Sequence, residues 1–118
     1  MLVVDDQRDV RTLVRALLTS VPGVEVVAEA PSGAQGIELR NDVRPDVVVL
    51  DYHMPGLDGL DTARAMLADD PSQRILFFSS TVDTNVQREA AALGLTVLSK
   101  TDVNHLKTMI LAVGRPAG

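Results

Sequence analysis

Four consecutive apolar residues, Val47-Val48-Val49-Leu50, run directly into a carboxylate, Asp51. A strand with no polar alternation offers neither face to water, so both faces must be covered. A parallel sheet flanked by helices does this. After Asp51 the chain breaks at Met54-Pro55-Gly56 and restarts as a helix at Asp58-Gly59. Open α/β sheets take their ligands beyond the carboxyl ends of the strands, and Asp51 stands at such an end. The stretch by itself fits equally well a carboxylate that caps a turn, so the choice depends on what the other strands bring to the same edge.

The remainder of the chain alternates in the same way. Met1 to Val4 reads as a first strand, ending in Asp5-Asp6. A helix follows, with Val10, Leu13, Val14, Leu17 and Leu18 on one stripe and Arg8, Arg11 and Arg15 largely off it. Asp6 or Asp9 can cap its start, and Val21-Pro22-Gly23 stops it. Val24 to Ala28 alternates apolar with polar and predicts a strand nearer the sheet edge. A second helix is predicted over 33–43, with Ser32 as N-cap and Ala34, Ile37 and Val43 inward. Gly36 in its middle costs about 1 kcal/mol relative to alanine. A third helix is predicted over 59–68 with Leu60, Ala63 and Leu67 inward. Ile75 to Phe78 is a wholly apolar fourth strand. A helix over 83–93 carries Val86, Ala90 and Leu93, and Leu95 to Leu98 is a fifth strand. Thr101 or Asp102 caps a last helix with Leu106, Met109, Ile110 and Val113 inward. Residues 1–113 thus form one α/β domain of five strand–helix units with right-handed crossovers, and 114–118 form a tail or the start of a linker.

The totals narrow the possible functions. The 118 residues are 46% hydrophobic and 23% charged, the balance of a globular domain. No apolar run approaches the roughly 20 residues of a membrane span, and the N-terminus lacks the pattern of a secretory signal. There is no cysteine, hence neither disulfide framework nor thiolate metal site. A cytoplasmic protein without membrane partners is expected. A net charge of −5 and only 3% aromatics argue against this domain gripping nucleic-acid phosphates or stacking bases.

In a parallel sheet the strands all deliver their final residues to one edge. That edge would receive Asp5 and Asp6 from the first strand and Asp51 from the third. It would also receive Ser79 and Ser80 from the fourth and Lys100 from the fifth. Carboxylates about 4 Å apart at an effective dielectric of ~20 repel by roughly 4 kcal/mol per pair, so a proton or a cation must sit among them. An all-oxygen ligand set favours Mg²⁺ or Mn²⁺ over zinc. With Lys100 as a fixed ammonium and Ser79 as a hydroxyl donor, the cluster makes a seat for a phosphoryl group. Asp51 can be the nucleophile that becomes an aspartyl phosphate. Plainer roles suit the neighbours: His105 as a surface residue, Met54 and Met109 as packing, and Ser80 as a small residue that leaves room.

Val3-Val4-Asp5-Asp6, the stretch Asp51-Tyr52-His53-Met54-Pro55-Gly56-Leu57-Asp58-Gly59, Ser79 and Lys100 together resemble the receiver domain of two-component response regulators. Glu25 to Ala30 and Arg44 to Leu50 are most similar to the NarL/FixJ (LuxR-type) branch. The likeness runs from Leu2 to about Val113. It implies a flavodoxin-like (βα)5 sheet in strand order 2-1-3-4-5 and a regulatory phosphoacceptor rather than an enzyme in its own right. It implies Asp51 as phosphoacceptor and Asp6, Asp51 and the backbone carbonyl of His53 as direct Mg²⁺ ligands, with Asp5 acting through water. Ser79 would hydrogen-bond the phosphoryl group and Lys100 would pair with it. His53 and Thr81 fall where the family tunes the lifetime of the phosphate. The implied donor is a sensor histidine kinase or a small acyl phosphate. The implied output is transcription, through a C-terminal DNA-binding domain outside this sequence. A homodimer through the first and fifth helices, or through the fourth helix to the fifth, is a further expectation.

Two departures from the family pattern stand out. Val97 occupies the place of the usual fifth-strand aromatic, and the approach from Gly94 to Val97 is one residue short. Both favour an alternative, a pseudo-receiver that binds partners or dimerises without phosphate. A phosphatase of the haloacid-dehalogenase kind is disfavoured, because it needs a second acid two residues after its nucleophile, where this chain has His53.

Overall fold

The computed structural model describes residues 1–113, apart from the side chain of Val113, and the tail expected at 114–118 lies outside the described residues. Five strands alternate with five helices: β1 Leu2–Val4, α1 Arg8–Thr19, β2 Ala28–Ala30, α2 Gly33–Val43, β3 Val47–Leu50, α3 Gly59–Asp69, β4 Arg74–Ser79, α4 Thr84–Ala92, β5 Thr96–Ser99 and α5 Val103–Val113. The strands form one parallel sheet in the order β2-β1-β3-β4-β5, the flavodoxin-like topology. The order reverses between β1 and β3, the switch point outside which folds of this kind take their ligands.

Alternation along each strand splits the core in two. Val4, Val48, Leu50 and Phe77 face Ala63, Met66, Val86 and Ala90 from α3 and α4. Val3, Val49, Leu76 and Phe78 face Val14, Leu18, Leu106 and Ile110 from α1 and α5. All four residues of β3 are buried. Each such side chain contributes about 1.5–3 kcal/mol on burial, so the strand that carries Asp51 is anchored from both sides.

Several elements differ from the sequence reading. The second strand lies at Ala28–Ala30 rather than over 24–28. Val24 and Val26 still pack into the α1/α5 side of the core, but the segment meets the chain just ahead of β1, where Val27 N–H donates to Met1 O at 2.9 Å and Glu25 O accepts from the Met1 ammonium at 2.9 Å. Helix α1 is capped by neither Asp6 nor Asp9; its N-cap is Gln7, without a side-chain cap. Leu13 is 46% exposed rather than inward. Helix α2 keeps its predicted limits and Ile37 packs on the core as expected, but the rest of its inward face is shifted. Gly33, Gly36 and Arg40 are buried, whereas Ala34 is exposed and Val43 is 40% exposed. The glycine explains the choice: a Cβ on Gly36 would lie 2.8 Å from Val4 Cγ2, so α2 rides against β1 more closely than any side chain allows. Of the two candidate caps for α5, Asp102 accepts from His105 N–H at 3.3 Å.

Arg40 is buried because it is fully engaged. Its guanidinium donates to Gln73 Oε1 at 2.9 Å, Asn41 Oδ1 at 3.1 Å, Asp69 Oδ2 at 2.6 Å and Asp70 Oδ2 at 3.0 Å. It ties α2 to the end of α3 and the turn into β4.

Candidate functional site

Three short backbone links place two of the acids and Lys100. Asp5 N–H donates to Ala30 O at 3.0 Å, and Asp51 N–H donates to Val4 O at 2.9 Å, so the two acids extend the β2–β1–β3 ladder by one step. Lys100 N–H donates to Ser79 O at 2.8 Å and brings the end of β5 beside the end of β4. After Asp51 the chain must fold back over the sheet edge. Gly59 N–H donates to Tyr52 O at 2.9 Å, and a Cβ on Gly59 would meet Asp51 O at 2.1 Å. Only glycine permits that approach, which fixes the Asp58-Gly59 restart; Asp58 caps α3 by accepting from Asp61 N–H at 2.8 Å.

Asp5, Asp6 and Asp51 each offer a carboxylate oxygen, and these lie within 4.8 Å of one another. Asp5 and Asp51 are 2% and 4% exposed, while Asp6 is exposed. Lys100 Nζ stands 2.8 Å from Asp5 Oδ2 and 3.3 Å from Asp51 Oδ1. Asp5 Oδ1 accepts from Gln7 N–H at 2.9 Å. Asp5 Oδ2 is buried and, though ion-paired, has no aligned hydrogen-bond donor. Burial, and next the neighbouring Asp5, raise the Asp51 carboxyl to a pKa of about 6 despite the opposing pull of Lys100. One ammonium against two buried carboxylates leaves the site short of positive charge. An oxygen-preferring divalent cation fits this donor set.

The structure brings together Asp5, Asp6, Asp51 and Lys100 from the sequence-derived set. Ser79 lies at the same sheet edge, fully buried, but its hydroxyl is turned to its own loop. It donates to Thr81 O at 2.9 Å and accepts from Thr81 N–H at 3.2 Å. His53 is exposed, its ring edge-on to Tyr52 at 4.9 Å. Two further side chains escaped the sequence reading. Arg11 Nη1 donates to Asp5 O at 2.7 Å, with its Nε 3.5 Å from Glu29 Oε1, and holds the acid turn against α1. Tyr52, the residue after Asp51, reaches Glu89 on α4 through its hydroxyl. A lone tyrosine in a chain with so few aromatics was the available signal for the second; Arg11 carried none.

The model of the response regulator receiver domain family matches residues 1–111. This chain is a receiver domain. Its likeness is to the NarL/FixJ (LuxR-type) branch. It is 42% identical over 79 residues to the nitrate/nitrite response regulator protein NarL of Escherichia coli (strain K12), a match covering 67% of this chain and 37% of that protein. It is 39% identical over 82 residues to a protein-glutamate methylesterase/protein-glutamine glutaminase of Alkalilimnicola ehrlichii, covering 70% of this chain and 21% of that protein. Among solved structures, a two-component response regulator of the LuxR family from Aurantimonas sp. SI85-9A1 superposes with a TM-score of 0.91 at 31% identity, covering 96% and 82% of the two chains. The signal receiver domain of the putative response regulator NarL from Mycobacterium tuberculosis gives 0.80 at 29% identity, covering 98% and 95%. The receiver spans well under half the length of these curated relatives. No helix among the described residues is long and apolar enough to cross a membrane.

Proposed function

We propose that this receiver is a phosphorylation-controlled switch of a two-component system, and that Asp51 accepts the phosphoryl group from a sensor histidine kinase or a small acyl phosphate. The observation that carries this reading is the buried Asp51 carboxylate flanked by Asp5 and Asp6, with Lys100 Nζ at 3.3 Å. Asp6, Asp51 and the His53 carbonyl would hold Mg²⁺ (or Mn²⁺), with Asp5 reaching it through water. The bound cation would supply positive charge to the phosphoryl oxygens. An Asp51 oxygen attacks phosphorus while the bond from phosphorus to the donor imidazole nitrogen breaks. The imidazole leaves with that electron pair as a neutral group once protonated, and an acyl phosphate remains on Asp51. Lys100, already poised between Asp5 and Asp51, compensates the added negative charge. Ser79 can donate to the phosphoryl group once its hydroxyl leaves Thr81. Attack by water on phosphorus restores the carboxylate and releases inorganic phosphate.

The fit to NarL favours transcriptional output through a separate DNA-binding domain of the same protein, working in the cytoplasm. The methylesterase relatives make a catalytic output domain the competing arrangement, and the reading frame beyond Gly118 distinguishes the two. A phosphorylation-independent interaction module is the second reading, supported by the engaged Ser79 hydroxyl and by Val97, half-buried in β5. Intact-mass spectrometry after acetyl phosphate with Mg²⁺ tests the first reading. One phosphoryl mass is expected on the wild type and none on Asp51→Asn. Absence of the adduct, or its survival in Asp51→Asn, overturns the proposal. Dimerisation or partner binding indifferent to Asp51→Ala would favour the second.

A further inference from the structure

The element that follows the β4 loop is α4, and its described polar tie to the acid edge runs through Tyr52. The Tyr52 side chain is 6% exposed, packed edge-on against Phe77 with ring centroids 5.2 Å apart. Its hydroxyl donates to Glu89 Oε2 on α4, and the other Glu89 oxygen accepts from Asn85 Nδ2 at 3.4 Å. Burial and the Glu89 carboxylate both raise the Tyr52 pKa, so the hydroxyl remains a donor at neutral pH. The remaining anchors of α4 are apolar, Val86 and Ala90, plus the cap from Asp83 to Val86 N–H at 2.9 Å. Val97, on the neighbouring strand, packs against the same core and can carry no hydrogen bond.

We infer that the Tyr52–Glu89 hydrogen bond is the latch through which the state of Asp51 reaches α4; this rests on the phosphoacceptor reading above. Ser79 cannot donate to a group on Asp51 while it donates to Thr81 O. Its rotation frees the loop that leads from β4 into α4. When α4 follows the loop, Glu89 is carried away from a Tyr52 that cannot follow. The Tyr52 ring is boxed in by Phe77, and its backbone is held by Gly59 N–H and by its bond to Asp51. The latch therefore favours the resting position of α4. By linkage, cutting it must strengthen binding at Asp51 by the same factor that binding at Asp51 weakens it.

The chain has one tyrosine and no tryptophan, so its aromatic emission reports on Tyr52 alone. Hydrogen bonding to a carboxylate quenches tyrosine emission. Titration with beryllofluoride in saturating Mg²⁺, followed by Tyr52 emission and in parallel by calorimetry, separates the outcomes. In the wild type, emission rises on binding. In Glu89→Ala it starts high and changes little, which controls for any direct effect of charge at Asp51. Tyr52→Phe and Glu89→Ala should each bind beryllofluoride about 5- to 10-fold more tightly, within the usual range of such couplings. Calorimetric binding with unchanged wild-type emission, or with wild-type affinity in both variants, overturns the latch and leaves the phosphoacceptor reading standing. No calorimetric binding to the wild type overturns both.

Discussion

Replacing Asp51 by asparagine should make the metal-free protein more stable at neutral pH, although it removes an ion-pair partner of Lys100. The unfolded chain ionises Asp51 near 3.8, and the folded chain near 6. The folded carboxyl binds its proton more tightly, so the stability it lends is fully present below about pH 4 and is lost as pH rises through 6. A gap of about 2 pH units is worth at most about 3 kcal/mol at 1.36 kcal/mol per unit. The exposed Asp6 flank lets solvent screen part of this, leaving roughly 1–2 kcal/mol. Asparagine keeps the shape and the neutral state at every pH.

The assay is urea unfolding of both proteins in EDTA at pH 4 and pH 7.5. With a slope of about 1.5 kcal/mol per M, Asp51→Asn should raise the midpoint by roughly 1 M at pH 7.5 and by little at pH 4. Titrating groups remote from Asp51 act alike in both proteins and drop out of the difference. Added Mg²⁺ should reverse the order, because only the wild type keeps all three carboxylates for the cation to bind and stabilise. A variant less stable than wild type in EDTA at pH 7.5 would mean that the 3.3 Å pairing with Lys100 outweighs burial and the repulsion of Asp5. A gap of equal size at both pH values would mean that the carboxylate charge is not its cause.

Two further predictions concern α2. Arg40→Ala strands the buried Gln73 Oε1 and removes a stem packed among α2, α3 and β4, so urea unfolding should register a loss of about 2–3 kcal/mol while beryllofluoride affinity stays within about 2-fold of wild type; a loss under 0.5 kcal/mol would show the guanidinium to be ornamental. Gly36→Ala should gain about 1 kcal/mol of helix propensity yet cost about 1–3 kcal/mol through the clash with Val4, a net change between zero and a loss of about 2 kcal/mol that Val4→Ala should partly offset in a double-mutant cycle; a stabilising Gly36→Ala would refute the close approach of α2 to β1.

How much of this was legible beforehand depended on how local the determinants are. β3, the limits of α2 and the delivery of Asp5, Asp6, Asp51 and Lys100 to one edge follow from runs, caps and topology, all of which are local or follow from strand order. The face of α2 does not. Apolar periodicity found Ile37, which packs on the core, but it also pointed to Ala34 and Val43, whereas the contact selects Gly36 for its lack of a side chain and Arg40 for acceptors 29–33 residues away. β2 shifted for a related reason. The alternation of Val24 and Val26 records burial against the α1/α5 core, and burial alone does not require ladder hydrogen bonds. The Tyr52–Glu89 pair, 37 residues apart, and the direction of the Ser79 hydroxyl are products of packing, and no spacing encodes them.

The two ends of the sheet carry charge clusters of nearly the same makeup, and the contrast between them separates structure from function. At the amino end, Arg40 meets Asp69 and Asp70, and an open depression of about 850 Å³ lies over them. There the buried member is the guanidinium, with four acceptors arrayed around it, while the two acids face water, Asp69 at 66% side-chain exposure. Such a cluster has little left to gain from a ligand. At the carboxyl end the burial is inverted: two carboxylates are inside, one ammonium serves both, and Asp5 Oδ2 lacks an aligned donor. This uncompensated burial raises the Asp51 pKa and costs stability, a cost that a packed core would avoid by placing asparagine or leucine there. The open depression thus lies over the satisfied cluster, whereas the unsatisfied one is short of the charge that a divalent cation would supply, which is why the phosphoacceptor proposal rests on the latter.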